Sequence, residues 1–146
     1  MREHVFTMTG NWQGGLNGHG QHSLRLADGR FSVPAEIGGL GVGTNPEELL
    51  LAAALSCYLI SLAGMLQYRK LPVREILIRS EAVFHVEMGP TLKKICHFPE
   101  VHIVDKDEEK LQAIQECFLL AEKVCMVSNA IRANVQIEVQ GSISSI

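Results

Sequence analysis

Positive charge is in short supply in this chain. Thirteen Lys and Arg stand against sixteen Asp and Glu, for a net charge of −3, so there is no basic footprint for nucleic acid. The opening M-R-E-H-V-F-T-M-T-G lacks the apolar core of a secretory signal, and a cytoplasmic protein is expected. No C-x-x-C pair links any of the four cysteines, which argues against a zinc knuckle or a thioredoxin-type motif. In a reducing compartment Cys57, Cys96, Cys117 and Cys125 are then thiols, and a disulfide among them would be catalytic or regulatory.

Metal-like spacing is scarce as well. Only His19 with His22, and Cys96 beside His97, come near it, and isolated His and Cys on strands are ordinarily packing or surface residues, so no metal site is expected. The Gly-rich stretch from Ile37 to Thr44 leads into a helix but carries no Lys and no phosphate-loop spacing. Internal repeats, low-complexity tracts and linkers are all missing, which leaves one domain over residues 1–146.

What the chain does have is an almost uncharged run from Leu49 to Leu66, inside a stretch from Thr44 to Lys70. Asn45 fits an N-cap, Pro46 the first helical position and Glu48 the carboxylate of a capping box, so a helix begins there. A surface helix would interleave polar residues, so this one is expected to be buried all round, packed against its own copy in a dimer. Its length would also suit a membrane span. The small and polar Ser56, Cys57, Ser61 and Gly64, the flanking Glu47 and Glu48, and the soluble pattern around it favour a core helix instead.

Glu47 and Cys57 are its chemically interesting groups. Ten residues apart on one helix rising ~1.5 Å per residue, they stand roughly 15 Å from each other. If both serve one site, the carboxylate meeting Cys57 comes from a second subunit. Each also has an ordinary explanation, since Cys is often buried and a first-turn Glu complements the helix dipole.

Around this helix the sequence predicts an α+β domain with segregated elements. A strand with His4, Phe6 and Met8 on one face ends at Gly10, followed by a Gly-rich turn or bulged strand. A hairpin joins Ser23–Leu26 to Phe31–Val33 through Asp28-Gly29. After Leu71-Pro72, strands are expected over Ile76–Met88 and Leu92–Val104, the second irregular at Pro99. An amphipathic helix capped near Asp105 or Asp107 carries Leu111, Ile114, Phe118, Ala121 and Cys125 on its apolar side. A break or new cap at Ser128-Asn129, a helical piece over Ala130–Ala133, and a closing strand with Val135, Ile137 and Val139 complete it.

Two segments carry a resemblance. G-T-N-P-E-E-L-L-L-A-A-A-L-S-C (Gly43 to Cys57) resembles the helix motif of the OsmC/Ohr family of thiol peroxidases, and A-E-K-V-C-M-V-S-N-A-I-R (Ala121 to Arg132) its second-cysteine motif. The order of elements agrees over nearly the whole chain. The resemblance implies antiparallel sheets wrapped around a long central helix in an intertwined homodimer, reducing organic or fatty-acid hydroperoxides at two interface sites. It implies Cys57 as peroxidatic thiol, Cys125 as resolving thiol and Glu47 as the carboxylate, with an external dithiol as reductant and no metal, flavin or nicotinamide.

The chain also departs from that pattern. Where the family has an Arg paired to the Glu, His19 falls nearest, with Arg25 and Arg30 of the hairpin as substitutes. Met126 replaces a usual Pro, and Glu122 a common His. A missing cation matters because a buried thiol in apolar surroundings is inert. The alternative is therefore a non-enzymatic member of the fold, binding a small molecule or sensing redox state.

Overall fold

The computed structural model describes residues 2–15, 18–23 and 31–145. Strands β1 (Arg2–Gln13), β2 (His19–His22), β3 (Val73–Val86), β4 (Pro90–Ile103), β5 (Gln136–Val139) and β6 (Ser142–Ser145) form one sheet. Its order is β2-β1-β3-β4-β5, with β6 also on β4. Helices α1 (Pro46–Tyr68), α2 (Glu108–Val124) and α3 (Met126–Ile131) complete the α+β architecture.

The start of α1 follows its sequence signals. Asn45 Oδ1 accepts the Glu48 amide at 2.8 Å, Pro46 takes the first turn, and Glu48 accepts a hydrogen bond from the Thr44 hydroxyl. Leu51, Leu55, Tyr58, Leu62 and Leu66 are buried against Ile76 and Ile78 of β3, Ile95, Val101 and Ile103 of β4, and Ile114, Phe118 and Ala121 of α2. The opposite side of α1 is left partly open among the described residues. Leu49 and Ile60 are 41% and 46% exposed, and Tyr68 is fully in the open at 88%. Burial all round is therefore not met among the described residues, where the sheet and α2 cover one side of the helix.

Other expectations need correction. β1 runs past Gly10 to Gln13 because β2 pairs with its end, Gly10 opposite His22. β3 stops at Val86, leaving Met88 fully exposed in a turn whose Gly89 adopts φ 140°. Pro99 causes no irregularity and pairs in register with Ile78, while the shifts lie at Val73/Glu75 and Val83/Phe84. Pro99 falls in the gap between residues 94–97, which pair with β5, and 100–103, which pair with β6, so its missing N–H deprives no partner strand.

Both of those far-edge strands run parallel to β4, so the sheet is mixed, not wholly antiparallel, and β6 is an element the sequence pattern does not predict. Asp107, not Asp105, caps α2, accepting the Lys110 amide. The break after α2 comes at Cys125, with α3 starting at Met126 instead of Ala130. The proposed Asp28-Gly29 hairpin turn, Arg25 and Arg30 lie outside the described residues; Phe31 makes an isolated bridge to Thr44.

Candidate active site

Cys57 sits half-buried in the middle of α1. Cys125 is the single residue between α2 and α3, fully buried, capping the end of one helix and the start of the next. Its backbone φ −62°, ψ 119° breaks the helix, its amide bonds the carbonyls of Ala121 and Glu122, and its own carbonyl accepts the Asn129 amide. This turn aims the side chain at α1. The structure leaves Cys57 and Cys125 as free thiols, near enough that Cys57 bears on the ionisation of Cys125.

Burial is the largest influence on the Cys125 thiol and pushes its pKa up. The hydroxyl and amide of Ser128 pull it down, and the neighbouring Cys57 adds a smaller upward push. Ser128 is itself fully buried, and its Oγ has no hydrogen-bond partner among the described residues.

A buried polar column starts at Tyr58, the residue after Cys57. Tyr58 donates its hydroxyl to the Phe118 carbonyl at 3.0 Å and stacks on the His97 ring, centroids 4.8 Å apart and planes 12° apart. His97 Nδ1 meets Ser80 Oγ at 2.6 Å, while its Nε2 is buried without a partner among the described residues. Burial lowers the His97 pKa to about 4, so the ring is neutral at physiological pH. The column fixes α1, immediately after Cys57, to α2 and β4.

Glu47 is not part of this cluster. It lies in the first turn of the same helix as Cys57, and its Oε2 is enclosed with no hydrogen-bond partner among the described residues. A buried carboxylate oxygen left unpaired is costly. His19 lies on β2 opposite Gln13, where only its backbone is described. Among the described residues no three His, Cys, Asp or Glu side chains gather as a metal site would. Cys96, in contact with Glu138 across the sheet, and Cys117, inside the core, stand apart from the thiol pair.

Ser128, Tyr58 and His97 have no site role in the sequence-based reading. Ser128 stands three residues after Cys125, where the third residue of a helix meets its cap; that spacing was a usable signal. His97 gave none, because a strand His beside a Cys reads as surface or packing.

Comparison with known proteins places these features in context. The sequence model described as OsmC-like protein matches residues 38–140, which contain both cysteines and Glu47. An uncharacterised Bacillus subtilis protein, YmaD, is 35% identical over 98% of this chain and 97% of its own length. A Xanthomonas axonopodis pv. citri protein named organic hydroperoxide resistance protein is 28% identical over 91% of this chain and 92% of its own. A crystal structure from Legionella pneumophila, described as an organic hydroperoxide resistance protein OsmC, superposes with a TM-score of 0.63 at 26% identity, covering 97% of each chain.

Proposed function

The chain belongs to the OsmC-like protein family, and on that footing we propose that it is a cysteine-based peroxidase, metal- and flavin-independent, that reduces organic hydroperoxides through Cys57 and Cys125. The observation that carries the proposal is the proximity of those two free thiols, one on α1 and one at the α2–α3 turn. Relatives named for organic hydroperoxide resistance support the substrate class.

The Cys57 thiolate attacks the hydroperoxide O–O bond, taking one oxygen as Cys57–SOH and releasing the alcohol once its alkoxide is protonated. The Cys125 sulfur then attacks the Cys57 sulfur, a water molecule leaves with the hydroxyl, and the disulfide forms. An external dithiol restores both thiols by two exchanges and departs as its own disulfide. Reaction with peroxide oxidises Cys57 by two electrons and the dithiol returns them.

The functional unit is a homodimer in the cytoplasm. The exposed apolar side of α1, with Leu49, Leu50, Ile60 and Tyr68, continues past Leu120 of α2 along a groove of about 440 Å³. A second copy laid there brings its own Glu47 toward Cys57. The Glu47 Oε2 has no hydrogen-bond partner among the described residues, and His19, Arg25 and Arg30 are the candidates to supply the cation that pairs with it.

The test is dithiol-dependent turnover of cumene hydroperoxide. Wild type turns over, Cys57→Ser is inactive, and Cys125→Ser stops after one equivalent with a dimedone-reactive sulfenic acid on Cys57. A wild type inactive toward several organic hydroperoxides overturns the proposal. It would favour the second reading, a non-enzymatic redox sensor or small-molecule binder, with which the burial-raised Cys125 thiol is compatible.

A further inference from the structure

One cation is built tightly around the cysteine turn without touching either sulfur. Arg132, at the end of α3, donates to Glu122 Oε1 at 2.6 Å, to the Glu122 carbonyl at 3.1 Å and to Asn129 Oδ1 at 2.6 Å. Glu122 is in the last turn of α2 and Asn129 is within α3, so these bonds tie the two helices together across Cys125. The Glu122 carboxylate is only 16% exposed, a setting in which a charge-assisted pair is less screened than on an open surface.

The need for such a tie follows from the elements themselves. α3 has six residues, too few to hold a helix unaided. Cys125 is the lone hinge joining it to the 17 residues of α2. Disulfide formation demands Cβ atoms about 3.5–4.5 Å apart, so small rotations at this hinge decide whether the Cys125 sulfur can meet its partner. Glu122 and Arg132 both fall in the second-cysteine segment, yet neither has a part in the thiol chemistry derived above.

We propose that Arg132 is a positioning residue: its clamp on Glu122 and Asn129 fixes the α2–α3 turn so that the Cys125 sulfur is held at high effective concentration against Cys57. The clamp rests on the dithiol reading given above, but it acts on the equilibrium of the Cys57–Cys125 couple whatever oxidises it. Freeing the turn lowers that effective concentration and makes the disulfide easier to reduce.

The experiment equilibrates the full-length protein in oxidised and reduced dithiothreitol mixtures and reads the Cys57–Cys125 disulfide by mass spectrometry. Arg132→Met is expected to shift the equilibrium about tenfold toward the dithiol, a rise in potential of about 30 mV for this two-electron couple. Arg132→Lys, able to reach fewer of the acceptors at once, recovers part of the shift. Glu122→Gln keeps an oxygen acceptor but removes the charge, and gives a smaller shift of the same sign; it carries the test if Arg132→Met does not fold.

A folded Arg132→Met, or in its place Glu122→Gln, whose couple equilibrates like wild type overturns the clamp, even if its melting temperature has dropped. A wild type that forms the disulfide in these buffers yet reduces no hydroperoxide leaves the clamp standing and removes the peroxidase reading. A wild type that never forms the disulfide removes both.

Discussion

Acid should loosen this protein through one imidazole. His97 is fully buried, stacked on Tyr58 and bonded to Ser80, and its pKa falls from 6.5 to about 4 because the charged ring would have to leave water. Unfolding returns the ring to water, where it takes up a proton near its ordinary value. Between these two values the unfolded chain binds more protons than the folded one, so stability is full above pH 6.5 and declines as pH falls toward 4. At about 1.4 kcal/mol per tenfold in proton affinity, the loss across that window is roughly 3 kcal/mol, a large part of the 5–15 kcal/mol typical of a folded domain. Below pH 4 both states are protonated and the contribution is flat.

The perturbation is His97→Phe, which keeps a ring against Tyr58 and removes the titration. At pH 7.5 the variant is expected to be less stable, by about 1–2 kcal/mol, because the buried Ser80 hydroxyl loses its partner. Near pH 4 the order reverses. The assay is urea unfolding followed by circular dichroism at fixed protein concentration, from pH 7.5 to 4. Carboxylates such as Glu100 and Asp107, held low by their partners, affect both proteins alike and cancel in the difference. Curves that stay parallel across the range would refute the reasoning.

Two further outcomes follow from the same structure. Ser128→Ala, made in a Cys57→Ser background, removes the hydroxyl that holds the Cys125 thiol down; alkylation of Cys125 at pH 7.5 is expected to slow by about threefold to tenfold, with its pH profile moved to higher pH, and an unmoved profile contradicts it. Ile60→Glu puts a charge in the middle of the exposed apolar side of α1. If that side meets a second copy, sedimentation should show a dimer for wild type and a monomer for the variant, since an unpaired buried charge costs several kcal/mol; a variant with the same sedimentation as wild type contradicts it.

The fold is legible where local chemistry decides structure. Asn45-Pro46 with Glu48 marks the start of α1, and period-two alternation marks β3, because capping and burial on one sheet face act within a few residues of the signal. Elements decided at long range are not legible. Strand β6 is the sequence S-I-S-S, which has one apolar residue and becomes a strand only because β4 offers an open edge beyond Pro99. The placement of α3 misleads for a related reason. Ser128-Asn129 has the composition of a cap, but Cys125 takes the cap position because its thiol is drawn into the core toward Cys57.

For the site, the decisive quantity lies in the spacing of two residues: ten positions separate Glu47 from Cys57 on one helix, far more than a hydrogen bond spans. The structure adds two independent features to that arithmetic. A carboxylate oxygen of Glu47 is enclosed and unpaired among the described residues. On the same helix an apolar stripe through Leu49, Ile60 and Tyr68 lies open, flanked by Leu120 of α2. An apolar face left open to water is costly, and in the homodimer proposed above a second α1 laid along the first would cover it and bring a carboxylate across the gap of roughly 15 Å that follows from the helix rise. A partner that covered α1 without bringing a carboxylate to Cys57 would leave that gap open, which is why the functional unit proposed above is a homodimer.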